Sequence, residues 1–139
     1  MLEESSFGII PLSKETGEWK VFLIQHQRGR HWGFPKGHAE LLETSERAAM
    51  RELKEETNLD VIRFLSVEPI QEYYQITRRK KPVLKSVLYF VAEVGGAIRL
   101  QKEEIKDGNW FSLDEARNTL THEEGKAILR QVERLLHQL

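Results

Sequence analysis

Three glutamates in the first half of the chain, Glu52, Glu55 and Glu56, have a spacing that could bind a metal ion. In an α-helix, at about 100° per residue, positions three and four apart lie within roughly 60° of each other on one face. Carboxylates so close repel each other and weaken an isolated helix. A hard divalent cation prefers carboxylate oxygens and would neutralise them. A solvated acidic helix face without a ligand would give the same spacing.

A loop containing glycine and proline, Gly33 to His38, leads into this acidic segment. Lys36 and His38 bring an ammonium and an imidazole, both of which can contact phosphate oxygens. Gly37 lets the backbone approach a ligand closely. The loop and the carboxylates together predict a metal-bridged phosphate site.

The stretch from Gly37 to Leu59 resembles the Nudix box, which sets glycine, glutamate and arginine at fixed spacings. The matching residues are Gly37, Glu43, Arg51, Glu52, Leu53, Glu55, Glu56 and Leu59. The one departure is Asn58, where the family has a glycine at the end of the helix. Asparagine is the next most tolerant residue of a left-handed backbone, so the change is mild. Eight matches at fixed spacing are a specific pattern, and the chain is identified as a member of the Nudix hydrolase family.

This resemblance implies a metal site. Nudix enzymes hydrolyse a nucleoside diphosphate linked to another group, and the implied cofactor is Mg²⁺, with Mn²⁺ as a second possibility. Family members often add a later glutamate from a loop before a short strand, for which Glu104 is the candidate and Glu103 is close behind. The implied metal ligands are the Gly37 carbonyl and four carboxylates, those of Glu52, Glu55, Glu56 and Glu104.

The resemblance also implies catalytic roles. One box glutamate would act as the base, with Glu52 slightly favoured over Glu56. Arg51 would hold Glu43 and orient the cluster rather than touch the substrate. A carboxylate near the metal can accept the proton of water if its pKa suits the reaction.

Sequence outside the box resembles one group of the family, the asymmetrical diadenosine tetraphosphate hydrolases of animals and archaea. Their Trp-x-x-Pro-Lys-Gly-His motif is matched by Trp32 to His38, and similarity continues through Lys81–Pro82, residues 87–94 and residues 99–110. The resemblance implies metal-dependent, asymmetric hydrolysis of diadenosine tetraphosphate to ATP and AMP, by water attack on a phosphate. The dinucleoside polyphosphate would be the partner of the site.

Four residues are candidates for contact with this substrate: Lys36, His38, Tyr89 and Lys81. Gly108 stands where some relatives have an aromatic residue, so Tyr89 is retained as the candidate for stacking on adenine. Trp32 and Phe34 could also stack, although packing is the favoured interpretation for them. The segment from Gln25 to His31 is either an exposed loop or one rim of a cleft.

Other functions fit the same residues. Another Nudix pyrophosphohydrolase would remove pyrophosphate from an RNA 5′ end or cleave a diphosphoinositol phosphate. A net charge of −1 argues against an extended RNA footprint. A non-catalytic nucleotide sensor would be expected to lack the carboxylates, and all are present. The basic run Arg78 to Lys81 is either a solvated turn or a phosphate grip.

The composition is that of an ordinary globular protein. The chain has 139 residues, with 40% hydrophobic and 31% charged, and one Nudix domain over residues 1–139 is expected. The absence of cysteine excludes disulfides and thiolate metal sites. Nothing resembles a signal peptide or membrane span, so a cytoplasmic location with no membrane partner is expected. A monomer is also expected.

The elements that must position these residues follow from hydrophobic periodicity. Two strands, 6–12 and 19–25, should form a hairpin, and the acidic helix should cover 44–57, capped by Thr44 or Ser45. Further strands are predicted at 59–67, 69–77 and 83–94, then a loop at 99–107 and a short strand from Trp110. Capping boxes at Ser112 and Thr121 should open two final helices. This order predicts an α/β fold with a mixed sheet between helices, compatible with the family's α/β/α sandwich.

Overall fold

A computed structural model of the chain describes residues 1–139 and contains eight strands and three helices. The strands are β1 (Leu2–Glu15), β2 (Glu18–His26), β3 (Trp32–Gly33), β4 (Lys36–Gly37), β5 (Asp60–Phe64), β6 (Ile70–Arg78), β7 (Lys81–Gly95) and β8 (Ile105–Ser112). The helices are α1 (Ser45–Thr57), α2 (Leu113–Thr119) and α3 (Glu123–His137).

All eight strands join one mixed sheet. Its main path runs β3-β2-β1-β7-β5, while β4 pairs with β1, β6 with β7 and β8 with β2. The β1–β7 pair is parallel from Leu2 to Leu12, and the other pairs are antiparallel. The predicted mixed sheet and the predicted β1–β2 hairpin are both confirmed.

The sheet has helices on both faces because its central strands are apolar on both sides. Ile9 belongs to the core that packs on α1 through Ala49 and Leu53. Ile10, its neighbour, belongs to the opposite core, to which α2 and α3 contribute Ala116, Ile128, Leu129 and Val132, together with Leu120 just after α2. Successive residues of a strand point to opposite faces, and the predicted α/β/α sandwich is therefore confirmed.

Several strand limits differ from the prediction. β1 continues through Pro11, which was expected to end it. Pro11 is tolerated because it lies between the part of β1 that pairs with β4, at Phe7 and Gly8, and the part that pairs with β2 from Leu12 onward. The two-residue strands β3 and β4 were predicted as loop, since pieces so short carry no periodicity.

β8 begins at Ile105, inside the predicted 99–107 loop. Ile105 is fully buried and pairs across from His26, whereas its neighbours Lys106 and Asp107 are exposed. A single apolar residue among charged ones gives no alternating pattern, which explains why the strand was placed too late.

The capping box predicted at Thr121 is wrong, although the one at Ser112 is confirmed. Ser112 and Glu115 exchange hydrogen bonds at the start of α2. The Thr121 hydroxyl instead accepts from the Trp32 backbone N–H at 2.8 Å, and the N-cap of α3 is His122, without a side-chain bond. Thr121 therefore fixes β3 to the start of α3.

Asn58 ends α1 in the left-handed conformation, with φ of 69°, and its amide donates to the Ala97 carbonyl at 2.9 Å. Alanine has no side-chain donor and is strained at this φ. We expect Asn58→Ala to lower the free energy of unfolding by about 1–2 kcal/mol. Asn58→Gly loses the hydrogen bond but not the backbone fit, so it should cost less. Urea denaturation measures both, and equal losses for the two variants would contradict the conformational explanation.

Candidate active site

Helix α1 brings its carboxylates against strand β4. Thr44 caps the helix by accepting from the Arg47 backbone N–H, and Ala48, Ala49 and Leu53 bury one side. A Cβ on Gly37 would lie 2.1 Å from Cδ of Glu52. A side chain at this position would displace the Glu52 carboxyl group, which occupies the same space.

Arg51 links four oxygen-bearing neighbours of the Nudix box. Its Nε and one terminal nitrogen bind both Glu43 oxygens at 2.8 and 3.0 Å. The same terminal nitrogen donates to the His38 carbonyl at 2.9 Å. The other nitrogen contacts Glu52 and Glu55, each at 3.1 Å. The contact expected between Arg51 and Glu43 is present, and two parallel bonds fix its geometry.

Glu56 is the most deeply buried acid in the chain, with 3% of its surface exposed. Its Oε1 atom is buried and has no hydrogen-bond partner. Burial raises the pKa of Glu56 to about 8, and the nearby charges of Glu52 and Glu104 add to the effect. A buried carboxylate without a partner is costly, so this atom points to a missing cation or donor.

The loop before β8 brings Glu104 toward the helix. Its backbone is held on both sides, because Gln101 N–H donates to the Glu56 carbonyl and Gln27 N–H donates to the Glu104 carbonyl. The Glu104 charge also raises the pKa of Glu52, after burial, which is the main cause. Glu104 therefore lies on the same side of the molecule as the acidic face of α1.

These residues fit a divalent cation by their chemistry. No group of three or more acidic or histidine side chains is already arranged to hold a metal ion, and Arg51 hydrogen-bonds Glu52 and Glu55. The bare Oε1 of Glu56 nevertheless offers an uncommitted oxygen. Hard divalent ions prefer such oxygens.

A cavity of about 500 Å³ lies beside the acidic cluster. This volume is within the range of small-molecule sites. Lys36 lines it, and the next residue, Gly37, contacts the Glu52 side chain. The lining residues are His26, His31, Trp32, Gly33, Phe34, Lys36, Glu72, Tyr74, Gln75, Ile76, Tyr89, Leu120, His122, Glu124 and Gly125.

The predicted substrate residues are only partly brought together. Lys36 Nζ donates to the Tyr74 hydroxyl at 2.9 Å, inside the cavity. Tyr89 also lines the cavity, but it is 3% exposed and packs edge-on against Phe34, so its ring offers little free face. His38 is exposed and contacts the Ser5 carbonyl, and Lys81 is exposed at the β6–β7 turn. Neither lines the cavity.

Three histidines at the cavity were not singled out from the sequence. His26 and His31 stack with ring centroids 4.3 Å apart, and His122 follows at 5.6 Å from His31. The first two belong to the segment Gln25 to His31 and line the cavity, whereas residues 27–30 form an exposed turn, so each interpretation of this segment holds for part of it. His122 is about ninety residues away in sequence and carried no signal of its own.

His26 should make stability depend on pH. Burial, with repulsion from His31 and Lys36, lowers the pKa of His26 to about 4 from 6.5. Because the folded pKa is the lower one, the unfolded chain takes up the proton first. Stability is then full above pH 6.5 and falls as the pH drops toward 4. His26 is partly exposed, so we expect a loss of about 1–2 kcal/mol.

Comparing wild type with His26→Gln separates the pH dependence of stability due to His26 from that due to other titrating groups. The difference in their free energies of unfolding, from urea titrations between pH 4 and 8, should change across that window. A difference that is constant with pH would contradict the proton linkage.

Comparison with known proteins gives the family. The NUDIX domain model matches residues 3–132. A bis(5′-nucleosyl)-tetraphosphatase [asymmetrical] of Rattus norvegicus is 36% identical over 116 residues, covering 81% of this chain and 77% of the relative. A protein of the same name from Caenorhabditis elegans is 29% identical and covers 89% of this chain and 90% of its own length. The chain therefore belongs to the Nudix family of hydrolases, as the box predicted.

A solved structure supports the fold. The C. elegans Ap4A hydrolase binary complex superposes with a TM-score of 0.74, at 23% identity, and covers 97% of this chain and 98% of that one. The sandwich of this chain is thus that of a Nudix protein. None of the three helices has the length and apolar character needed to cross a bilayer.

Proposed function

We propose that this protein hydrolyses diadenosine tetraphosphate asymmetrically, giving ATP and AMP, with Mg²⁺ as its cofactor. One observation carries the proposal. The 500 Å³ cavity and the acidic cluster are joined through two consecutive residues, since Lys36 lines the cavity and Gly37, the next residue, lies against Glu52. A phosphate chain could lie at the carboxylates while an attached nucleoside occupies the cavity.

The names of the relatives support this substrate class. Both the rat and the nematode relative are called asymmetrical tetraphosphatases of bis(5′-nucleosyl) compounds. Much of this chain aligns with theirs, including the Trp32 to His38 loop that carries Lys36.

The metal ligands we propose are the Gly37 carbonyl with the carboxylates of Glu52, Glu55, Glu56 and Glu104. A bound divalent ion would neutralise phosphate charge and lower the pKa of its water. Lys36 would bind a phosphate oxygen after leaving Tyr74. Arg51, through its two bonds to Glu43, would hold Glu52 in position.

The proton of the attacking water would pass to a box carboxylate, either Glu52 or Glu56. The oxygen of that water joins the attacked phosphorus as one P–O–P bridge breaks. The bridging oxygen leaves with the other nucleotide. Replacing either glutamate by glutamine keeps its shape and removes the basic oxygen.

The test is a panel of substrates at equal concentration with Mg²⁺. It includes diadenosine tetraphosphate, an RNA with a 5′-triphosphate, and a diphosphoinositol phosphate. We expect the dinucleotide to be cleaved fastest, and Glu52→Gln to remove that activity. Faster cleavage of the RNA or the inositol compound would overturn the substrate assignment within the same family. Binding of nucleotide without turnover would favour a sensor instead.

A further inference from the structure

One charged residue interrupts the inward face of strand β6. Alternate residues of this strand are partly buried, namely Ile70, Glu72, Tyr74 and Ile76, while the intervening residues are exposed. Glu72, Tyr74 and Ile76 line the cavity. An apolar residue would be expected at position 72 if this face served only to pack.

The side chain of Glu72 makes no hydrogen bond or ion pair with another residue, although its backbone belongs to the β6–β7 ladder. Lys36 is the positively charged residue that most affects the pKa of Glu72. Its ammonium, however, donates to the Tyr74 hydroxyl at 2.9 Å. Burial raises the pKa of Glu72, and Lys36 opposes the rise. A partly buried carboxylate in a cavity wall needs hydrogen-bond donors, and here the protein supplies none.

The position of Glu72 indicates which part of a ligand would supply the donors. Tyr89 of β7 lies opposite Ile70, so it neighbours Glu72 on the same face of the sheet. The Lys36 ammonium donates to the hydroxyl of Tyr74, which is two residues from Glu72 on the same face of β6. Glu72 therefore lies just beyond the phosphate-binding end.

A carboxylate at that place repels phosphate, so it favours an uncharged donor. In a nucleotide the first such donors beyond the phosphates are the hydroxyls of ribose. Acidic side chains accept hydrogen bonds from ribose hydroxyls in other nucleotide sites.

We propose that Glu72 accepts hydrogen bonds from the ribose hydroxyls of a nucleoside bound in the cavity. It is then the residue that makes the site prefer ribonucleotides over 2′-deoxyribonucleotides. This inference rests on the proposed nucleotide substrate and adds a specificity determinant to it.

The kinetic test compares diadenosine tetraphosphate with its bis(2′-deoxy) analogue. A hydrogen bond to a charged group is worth about 1.5–3 kcal/mol, which corresponds to roughly a tenfold to a hundredfold preference. Wild type should show this preference in kcat/KM, and Glu72→Leu should remove it, mainly by raising KM for the ribose substrate alone. Glu124→Leu, which alters another carboxylate of the cavity lining, is the matched control and should keep the preference.

If Glu72→Leu lowered kcat/KM equally for both substrates, the carboxylate would have a general role in packing or charge, and the proposal would be overturned. The proposal would also be overturned if wild type did not discriminate between the ribose and deoxyribose substrates. Loss of this discrimination in Glu124→Leu but not in Glu72→Leu would overturn it too. Thermal unfolding of each variant, with Glu72→Gln as a shape-conserving second variant, separates these results from misfolding.

Binding distinguishes failure of this inference from failure of the proposed reaction. Calorimetric titration with AMP and with 2′-deoxyAMP requires no turnover. Suppose that wild type cleaves no dinucleotide but binds AMP more tightly than 2′-deoxyAMP, and that Glu72→Leu binds the two equally. The role of Glu72 then stands while the proposed reaction fails. If neither mononucleotide binds, or both bind equally to wild type, the role of Glu72 is refuted.

Discussion

Gly37→Ala is expected to lower kcat/KM by about 10²- to 10³-fold while leaving the fold intact. The new Cβ would overlap the Glu52 carboxyl group, at 2.1 Å from Cδ and 2.4 Å from Oε1. The carboxylate must therefore move by an ångström or more, and a displacement of that size at a reacting centre can cost 10²-fold. Steady-state hydrolysis with Mg²⁺ measures the loss.

Gly33→Ala is the matched control. Gly33 lies in the same loop, yet a Cβ there meets no atom within 4 Å. Its activity should stay close to that of wild type. If both variants lost activity equally, flexibility of the loop would explain the result, and the contact between Gly37 and Glu52 would not.

Glu56→Gln is expected to have opposite effects on activity and stability. Loss of the buried carboxylate should reduce kcat by about 10³-fold, within the range for groups that move protons or bind the catalytic metal. Without metal, the same change removes a buried charge of which one oxygen has no partner, and it should stabilise the fold by about 1–3 kcal/mol.

The stability gain should depend on pH. The folded pKa of Glu56, about 8, lies above its usual value of 4.5. The cost of the charge is therefore complete above pH 8 and disappears as the pH falls toward 4.5. Unfolding in a metal chelator at pH 9 and pH 5 should show a larger gain at pH 9. Glu46→Gln, at an exposed position of the same helix, should show neither effect.

The acidic helix could be predicted because its information is local. Thr44, Asn58 and the glutamates between them define the start, the end and one face of α1 within a single stretch. Gly37 could be singled out for the same reason, because a glycine just before the helix suggested that the backbone is closely approached there. The choice of Glu104 as a candidate ligand came only from the family resemblance, since its neighbourhood is charged and aperiodic.

The cavity could not be predicted in the same way. Its walls combine the loop near Lys36 with Glu72 on β6 and His122 at the start of α3, and only tertiary packing brings these together. The burial of Tyr89 was equally unpredictable from local sequence. Its alternation in β7 gave no sign that the ring would be buried against Phe34.

The polar residues at ends of elements were also hard to assign from sequence. Thr121 has the spacing of a capping residue, but its hydroxyl binds Trp32, which is 89 positions away. A local pattern cannot show that a distant N–H will compete for the same oxygen.

The most direct test of the proposed reaction is hydrolysis of diadenosine tetraphosphate with Mg²⁺ in ¹⁸O-labelled water, with products analysed by mass spectrometry. We predict ATP and AMP in equal amounts, with one ¹⁸O atom in only one of the two, which identifies the attacked phosphorus. Two molecules of ADP, or intact dinucleotide, would contradict asymmetric hydrolysis at this site.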